Sequence, residues 1–301
     1  MAHPSPASSA GTPTPHCLVA CRDTLGEGAF WDERDGTLIW VDIYGCLVHQ
    51  WTAATNATRT WTMPERIGFV LPRRRGGYIA GLKSGLAYLE LPAGTLTPIG
   101  NPEPGLPGNR FNDGKCDARG RLWAGTMDNV MVNPSGKLYR YEADLRFAVA
   151  DDGYIVTNGP TFSPDERTLY HTASVTRIIY AFDLDPQSGA LSRKRVFHQF
   201  TPEYGNPDGM ATDTDGGVWV AMSGSSRLVR LSTAGAIDRE IPMPVTRPTS
   251  CVFGGPDFRT LFVTSATVLL EEAVLAREPL AGALFAIEVG AQGFAGNRFA
   301  G

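Results

Sequence analysis

One short pattern recurs six times along this chain of 301 residues: a polar turn followed by a strand that contains an aromatic residue. The turns are centred on Gly36, Gly76, Gly120, Glu166, Gly216 and Phe258. The aromatic residues are Trp40, Tyr78, Trp123, Tyr170, Trp219 and Phe262. Successive turns lie 40, 44, 46, 50 and 42 residues apart. Because short strands that repeat at about this period are typical of propeller blades, the sequence predicts an all-β, six-bladed β-propeller.

A second strand follows each repeat, and in it apolar and polar residues alternate. These strands cover 46–52, 85–91, 136–143, 177–184, 226–232 and 282–289. Alternation with period two indicates strands with one buried face. The one segment with a helical pattern is 269–280, which we expect to form a short surface excursion in the last blade.

The ring of blades needs a closure. Residues 16–23 (HCLVACRD) form a strand pattern that lies outside the six repeats. We expect this N-terminal strand to pair with the last blade, because closure removes two sheet edges that would otherwise invite aggregation. The propeller is then a single domain that spans 16–301. Residues 1–15 are rich in Pro, Ser, Ala and Thr without an apolar run, which predicts a disordered tail rather than a signal peptide.

Composition excludes several classes of partner. The net charge is −4 and no basic block is present, so we expect neither nucleic acid nor an acidic membrane surface as a partner. The run Arg73-Arg74-Arg75 falls in a predicted hairpin turn and is interpreted as solvated. The sequence contains no stretch of about 18 apolar residues, so we expect no membrane span.

The cysteines and histidines give no sign of a disulfide framework or a zinc site. The five cysteines are odd in number and lack Cys-x-x-Cys spacing, so most are expected to be buried, inert thiols in a reducing, cytoplasmic protein. No pair of histidines has metal-binding spacing, and His171 is expected to pack within its strand. A serine-nucleophile elbow, a P-loop and a dinucleotide fingerprint are also missing from the sequence.

An acid or amide followed by Gly precedes four of the six turn-and-strand repeats. These pairs are Glu27-Gly28, Asp113-Gly114, Asn158-Gly159 and Asp208-Gly209. The same position is Ile67-Gly68 in the second blade and lies near Ser250-Cys251 in the sixth. Equivalent positions of successive blades converge on the central axis, so these side chains are expected to line one pocket. Asn and Asp before Gly are also ordinary turn residues, but their recurrence at matching positions favours a shared site.

The oxygen atoms of these side chains suggest a metal. Carboxylate and amide oxygens suit Ca²⁺, Mg²⁺ or Mn²⁺ better than metals that prefer thiolates. Three protein ligands would leave coordination positions for a substrate. The sequence therefore predicts one divalent metal ion on the axis, with Ca²⁺ favoured by ligand hardness.

The same residues resemble the family of senescence marker protein (regucalcin), gluconolactonase and luciferin-regenerating enzyme. The matching stretches are LGEGAFW, NRFNDGKCDARGRLWAGTMD, TNGPTFSPDERTLYHT, NPDGMATDTDGGVWVAM, CVFGGPDFRTLFVTSA and PLAGALFAIEVG. Of these, TNGPTFSPD with LYHT is most similar to bacterial sugar lactonases that act on xylono- and arabinonolactones. The resemblance implies a six-bladed propeller with one catalytic divalent metal in its central channel, and members that use zinc or iron make Zn²⁺, Mn²⁺ or Fe²⁺ alternatives to Ca²⁺.

The resemblance also implies roles for individual residues. The metal ligands fall on Glu27, Asn158 and Asp208, and Asp208 is also the acid–base residue. Substrate-binding roles fall on Arg110 and Asn112. The pattern of acids before Gly points instead to Asp113 in the third blade. We follow the resemblance, with Asp113 as a residue that orients its neighbours. The loop 128–136 is short here, and no role is transferred to it.

These observations lead to one hypothesis and two alternatives. The hypothesis is metal-dependent hydrolysis of a sugar aldonolactone (glucono-, xylono- or arabinonolactone) to the aldonic acid in carbohydrate catabolism, with the lactone as the expected small-molecule partner. The first alternative is a hydrolase for aryl esters or phosphotriesters on the same scaffold. The second is a non-catalytic propeller that binds a divalent metal or another ligand. A monomer or weak homodimer is expected.

Overall fold

The computed structural model describes residues 13–301, and these residues form six four-stranded sheets. The innermost strands are β2 (Gly26–Asp32), β6 (Ile67–Pro72), β10 (Asn109–Cys116), β14 (Thr157–Phe162), β18 (Asn206–Thr212) and β22 (Pro248–Gly254). The second strands are β3 (Thr37–Asp42), β7 (Tyr78–Leu82), β11 (Leu122–Asp128), β15 (Thr168–Ala173), β19 (Val218–Ser223) and β23 (Thr260–Ser265). The second strands contain the aromatic residues of the repeat, as predicted.

The outer half of each sheet follows the same order. The third strands are β4 (Leu47–Thr52), β8 (Leu86–Glu90), β12 (Gly136–Tyr141), β16 (Ile178–Leu184), β20 (Arg227–Leu231) and β24 (Leu284–Glu288). The outermost strands are β5 (Ala57–Thr62), β9 (Thr95–Gly100), β13 (Phe147–Tyr154), β17 (Leu191–Gln199), β21 (Ile237–Pro242) and, in the sixth sheet, β1 (His16–Val19). Paired strands within the sheets are antiparallel.

The six sheets form a closed ring, which confirms the predicted propeller. Each innermost strand contacts the innermost strand of the next sheet, and β22 contacts β2. Blades one to five follow chain order from β2 to β21. Blade six contains β22, β23, β24 and β1, because the N-terminal strand pairs with β24 through Cys17 opposite Phe285. The predicted closure is thus confirmed, whereas most of the proposed 1–15 tail lies outside the described residues.

The turn of each repeat has a left-handed residue at its centre. The φ angles are 64° at Gly36, 90° at Gly76, 83° at Gly120, 53° at Glu166, 83° at Gly216 and 56° at Phe258. Residues other than glycine seldom adopt positive φ, so Glu166 and Phe258 keep the turn geometry despite their side chains. The six repeats therefore match at the level of the backbone.

Buried carboxylates hold the aromatic residues of three blades. The indole N–H groups of Trp40, Trp123 and Trp219 donate to Asp23 (2.8 Å), Asp117 (2.9 Å) and Asp213 (2.8 Å). Each carboxylate also has a basic partner: His49 (3.1 Å), Arg121 (2.6 Å) and Arg230 (2.6 Å), respectively. Because a buried charge is costly unless it is paired and hydrogen-bonded, these groups have a structural explanation and are not candidates for chemistry.

The last residues of the chain close one end of the channel. We call residues 290–301 the C-terminal strap. Its hydrogen bonds reach all six blades, at Asp32 (2.8 Å), Pro72 (3.0 Å), Gly120 (2.9 Å), Glu166 (3.0 Å), Thr214 (2.8 Å) and Phe258 (2.9 Å). These contacts lie at the turns between first and second strands, so the opposite end of the channel is the open mouth.

The strap corrects the prediction for the arginine run. Arg73 Nε donates to the carbonyl of Gly301 (2.9 Å), and the backbone N–H of Arg74 donates to Phe299 (2.8 Å). Arg73 is half-buried and lies over the ring of Tyr88, so its interpretation as a solvated side chain was wrong. Arg74 and Arg75 are exposed, as predicted.

Helices are short in the described part of the chain. The excursion of blade six contains α1 (Glu272–Leu275), which agrees with the predicted helix, and a 3-10 turn spans Pro202–Tyr204. Within residues 13–301, no helix has the length and apolar character to cross a membrane.

The five thiols are free, as expected, but their burial differs from the prediction. Cys116 and Cys251 are buried, whereas Cys17, Cys21 and Cys46 are only half-buried. Cys17 lies in the edge strand β1, Cys21 follows that strand, and Cys46 occupies a turn with φ of 55°. The expectation that most thiols are buried was therefore wrong, because Cys17 lies in an edge strand and Cys21 and Cys46 lie outside the strands.

Candidate active site at the propeller axis

A β-bulge interrupts each innermost strand at the position that the sequence singled out. The pairing with the second strand shifts register after Glu27, Ile67, Phe111, Asn158, Pro207 and Pro248. A bulge re-aims side chains and often lies next to an active site. Gly28 and Gly159 have φ of 60° and 72°, which explains the glycine after Glu27 and Asn158. The acid or amide ahead of Gly thus lies at a β-bulge that recurs in each innermost strand.

Three carboxyl groups meet at these bulges. Burial raises the pKa of Glu27 well above its ordinary value, and the charges of Asp208 and Asp113 raise it further. Burial is also the main reason that the pKa of Asp208 is raised, with Asp113 adding to the effect and the charge of Arg247 opposing it. Burial raises the pKa of Asp113 to about 7, against the opposing charge of Lys115. Like charges that interact in a buried site favour a bound proton or cation there.

A hydrogen-bond network fixes the amide of Asn158. Its Nδ2 donates to the Ser174 hydroxyl (2.9 Å), and its Oδ1 accepts from Asn112 Nδ2 (2.9 Å). Asn112 Nδ2 also donates to the carbonyl of Thr157 (2.7 Å). These contacts set the direction of Asn158 Oδ1 and leave it with a further lone pair.

Arg110 extends this network towards the mouth. Its Nη1 donates to Asn112 Oδ1 (2.7 Å) and to the carbonyl of Phe111 (2.9 Å), whereas its buried Nε has no partner among the described residues. Burial lowers the pKa of Arg110, while Tyr44 and Glu27 favour its charged form. The structure therefore brings the five predicted site residues together.

Several residues of this region were not predicted from the sequence. Tyr44 and Arg66 lie at the mouth beside Arg110, and the guanidinium of Arg66 is 4.3 Å from the centre of the Tyr44 ring. Ser174 anchors Asn158, and Arg247 influences Asp208. None of these four residues recurs in every blade. The one feature that could have identified these four residues is their place in the sequence, since each lies in a loop or just before a strand at the mouth end of the propeller.

The donor set fits a hard divalent cation. Glu27, Asn158 and Asp208 supply two carboxylates and one amide oxygen, and Asp208 Oδ1 is buried without a hydrogen-bond partner in residues 13–301. Oxygen donors of this kind suit Ca²⁺, Mg²⁺ or Mn²⁺. Over the same residues, no group of three or more His, Cys, Asp or Glu side chains is placed to hold a metal. A metal at this site would therefore need Asn158 as its third protein ligand.

His171 is fully buried, as predicted for a packed strand residue. Its ring contacts the ring of Tyr154 at 4.7 Å between centres, in an edge-on arrangement. Burial lowers the pKa of His171 to about 3, so the imidazole is neutral near pH 7.

Comparison with known proteins identifies the family. Residues 25–267 match the family model described as SMP-30/Gluconolactonase/LRE-like region. The chain belongs to this family. It is 36% identical over 288 residues to L-arabinolactonase of Azospirillum brasilense, covering 94% of this chain and 95% of that protein. It is 34% identical over 286 residues to 6-deoxy-6-sulfogluconolactonase of Pseudomonas putida, covering 95% and 98% of the two chains.

A solved structure shares the family fold. The crystal structure of regucalcin from Agrobacterium tumefaciens, described as a calcium-binding protein, superimposes with a TM-score of 0.91 at 26% identity. The match covers 95% of this chain and 97% of that chain. The resemblance to the regucalcin and gluconolactonase family and the six-bladed fold are thereby confirmed.

The family fold leaves a cavity of about 400 Å³ on the strap side of the bulges. It is lined by Asp113, Lys115, Met210 and Ser250 from innermost strands, and Phe294 of the strap. Because Asp113 belongs to both regions, the cavity continues the channel beyond the three carboxyl groups.

Proposed function

We propose that this protein is a divalent-metal-dependent sugar lactonase that hydrolyses an aldonolactone to the open aldonic acid. One observation carries the proposal: the buried carboxyl groups of Glu27 and Asp208 interact, and Asp208 Oδ1 has no hydrogen-bond partner among the described residues. Asn158 joins them through Asn112 and Arg110, because Asn112 bonds to both and the charge of Arg110 acts on Glu27. Family membership and relatives named as lactonases support the reaction class. Glucono-, xylono- and arabinonolactones are the proposed substrates.

The chemistry needs a base, an electrophile and a fixed substrate. Glu27, Asn158 and Asp208 would hold a divalent cation, which when bound would supply Lewis-acid polarisation of the lactone carbonyl. Asp208 removes a proton from water while the water oxygen forms a bond to the carbonyl carbon. The ring C–O bond then breaks, and the same proton passes from Asp208 to the leaving ring oxygen. The product is a hydroxy acid, whose carboxyl group is ionised at pH 7.

Arg110 and Asn112 have different parts in this proposal. The unpartnered Nε–H of Arg110 is available to donate to an oxygen of the substrate. Both protons of the Asn112 amide are used within the protein, on Thr157 and Asn158. We therefore propose that Asn112 acts mainly by positioning Asn158 and Arg110, with its remaining lone pair as its only means of contacting the substrate.

The experiment is a substrate panel on protein stripped with a chelator and then restored with Ca²⁺, Mn²⁺, Zn²⁺ or Fe²⁺. Proton release is measured with aldonolactones, aryl esters and phosphotriesters. The proposal predicts hydrolysis of at least one lactone that depends on added metal, with a higher kcat/KM than for any ester. A preference for aryl esters or phosphotriesters would favour the other hydrolase class on this scaffold.

The non-catalytic alternative draws support from the similar structure described as a calcium-binding protein. The same panel separates it from the proposed function when metal binding is followed by calorimetry. Tight metal binding without hydrolysis of any lactone would contradict the proposal and favour a binding propeller.

A further inference from the structure

Several buried polar atoms at the mouth end lack hydrogen-bond partners among the described residues, and three of them belong to residues that directly precede or lie in innermost strands. These three are Asp208 Oδ1, Arg110 Nε and Arg247 Nε. Native proteins leave few such atoms unpaired, so unpartnered atoms that lie together at the axis are candidates for binding a ligand. The proposed function assigns roles to Asp208 and Arg110 but none to Arg247. We propose that Arg247 is a product-binding arginine, which binds the carboxylate formed when the lactone opens; this inference rests on the proposed lactonase function.

Arg247 is placed beside the reacting groups. It directly precedes β22, which contacts β18, the strand that carries Asp208. Pro248, the next residue, pairs with Ser265 at the mouth end of β23. The charge of Arg247 opposes the rise in the pKa of Asp208, yet no ion pair within 4.0 Å joins the two in residues 13–301. Arg247 is therefore near enough to Asp208 for their charges to interact, and its Nε has no hydrogen-bond partner within residues 13–301.

Arg247 and Arg110 approach the axis from opposite sides. Arg110 belongs to blade three and Arg247 immediately precedes the innermost strand of blade six. In a ring whose innermost strands touch in the order one to six and back to one, blades three and six face each other. A ligand over the three carboxyl groups would thus lie between two guanidinium groups.

The backbone that carries Arg247 is held firmly. Glu278 of the blade-six excursion accepts from both the backbone N–H (2.7 Å) and the hydroxyl of Thr246. The carbonyl of Thr246 accepts from Gly224 (3.0 Å), and that of Arg247 accepts from Ala266 (3.0 Å). A fixed backbone with an unpartnered Nε–H is a preorganised donor, since little freedom is lost when a ligand binds.

The chemistry of the reaction selects the group that Arg247 binds. The lactone is neutral, whereas the product carries a carboxylate on the carbon that water attacks next to Asp208. Guanidinium groups bind carboxylates through paired, charge-assisted hydrogen bonds. Arg247 is thus expected to bind the product more strongly than the substrate, and to assist as negative charge develops on the carbonyl oxygen.

The test compares inhibition by the aldonate with turnover of its lactone in wild type, Arg247→Gln and Arg247→Lys. Charge-assisted hydrogen bonds of about 1.5–3 kcal/mol predict that Arg247→Gln raises the inhibition constant of the aldonate by about tenfold or more. The KM of the lactone should change by less than about threefold, because the lactone is neutral and Arg247 contributes little to its binding. Arg247→Lys should recover part of the aldonate affinity.

Two further variants make the result specific. Arg146→Gln is the charge control, because Arg146 is exposed on the outer edge of blade three and pairs with Asp144. It should leave both constants unchanged. Glu278→Gln loosens the anchor of Thr246 and should weaken aldonate inhibition by a smaller factor, which tests the proposal even if Arg247→Gln does not fold.

Failure of the Arg247 inference and failure of the proposed lactonase function give different results. If wild type hydrolyses lactones but Arg247→Gln and Glu278→Gln keep the wild-type inhibition constant, Arg247 does not bind the carboxylate and the proposed function stands. If wild type hydrolyses no lactone, the proposed function is wrong and the role of Arg247 falls with it.

Discussion

Buried carboxylates in this molecule fall into two groups. Asp117 and Asp213 each pair with an arginine and a tryptophan N–H, so their buried charge is fully compensated. Glu27 and Asp208 face other carboxyl groups, and Asp208 keeps an unpartnered oxygen. Burial alone therefore does not mark the chemistry here. The informative feature is a buried acid that the protein leaves uncompensated.

The assignment of Asp208 as the base makes a direct prediction. Asp208→Asn keeps the shape and an oxygen ligand but removes the group that accepts the proton. We expect kcat for the lactone to fall by about 10²–10⁴-fold, the usual contribution of general acid–base catalysis. Steady-state kinetics with a thermal-unfolding control measure this. Near-normal turnover in a folded variant would show that another group is the base.

His171 predicts how stability depends on pH. Burial lowers its pKa from 6.5 to about 3 in the folded protein, so between these values the unfolded chain binds the proton more readily. Its contribution is fully present above pH 6.5 and is lost as pH falls towards 3. From pH 6.5 to pH 5 this loss amounts to about 2 kcal/mol.

His171→Leu removes the titrating group and tests that account. Its free energy of unfolding in urea should change less between pH 7 and pH 5 than that of wild type, by about 2 kcal/mol. Loss of stability at both pH values is compatible with the account, since packing against Tyr154 also changes. Equal pH dependence in the two proteins is not.

At the scale of elements, the bulges and the two chain ends do most to shape the site. Glu27, Asn158 and Asp208 were candidates because an acid or amide before Gly recurs ahead of the turn in four of the six blades, and the family resemblance selected these three over Asp113. Arg247 was not, because it precedes Pro248 in one blade only and meets Asp208 through the curvature of the ring. The strap was also missed, since 290–301 has no periodic pattern and is placed by hydrogen bonds to separate blades.

The role of the N-terminal strand β1 in closing the ring can be tested by deletion. Deletion through Asp23 removes β1 and the carboxylate that binds Trp40 and His49, and it exposes the edge of β24. We expect a clearly lower melting temperature, whereas deletion of residues 1–12 should leave it unchanged. An unaltered melting temperature after the longer deletion would mean that β1 does not contribute to closure.

The whole molecule is asymmetric about its axis in two ways. Blades one, three, four and five carry an acid or amide at the bulge, whereas blades two and six offer Gly68, Thr249 and Ser250. One end of the channel is closed by the strap, and the other carries Arg110 and Arg247. The repeat predicts the ring of blades, but this asymmetry depends on single residues that differ between blades. Function is thus a property of the differences among otherwise equivalent blades.

The central claim is that Glu27, Asn158 and Asp208 hold one divalent metal that lactone hydrolysis requires. The most direct measurement titrates metal into chelator-stripped protein and follows turnover and metal binding together, in wild type and in Glu27→Gln. We predict that turnover rises with metal and saturates at one ion per chain in wild type. Glu27→Gln should need much more metal for the same turnover. Full hydrolysis by stripped wild type, or identical titrations for the two proteins, would contradict the account.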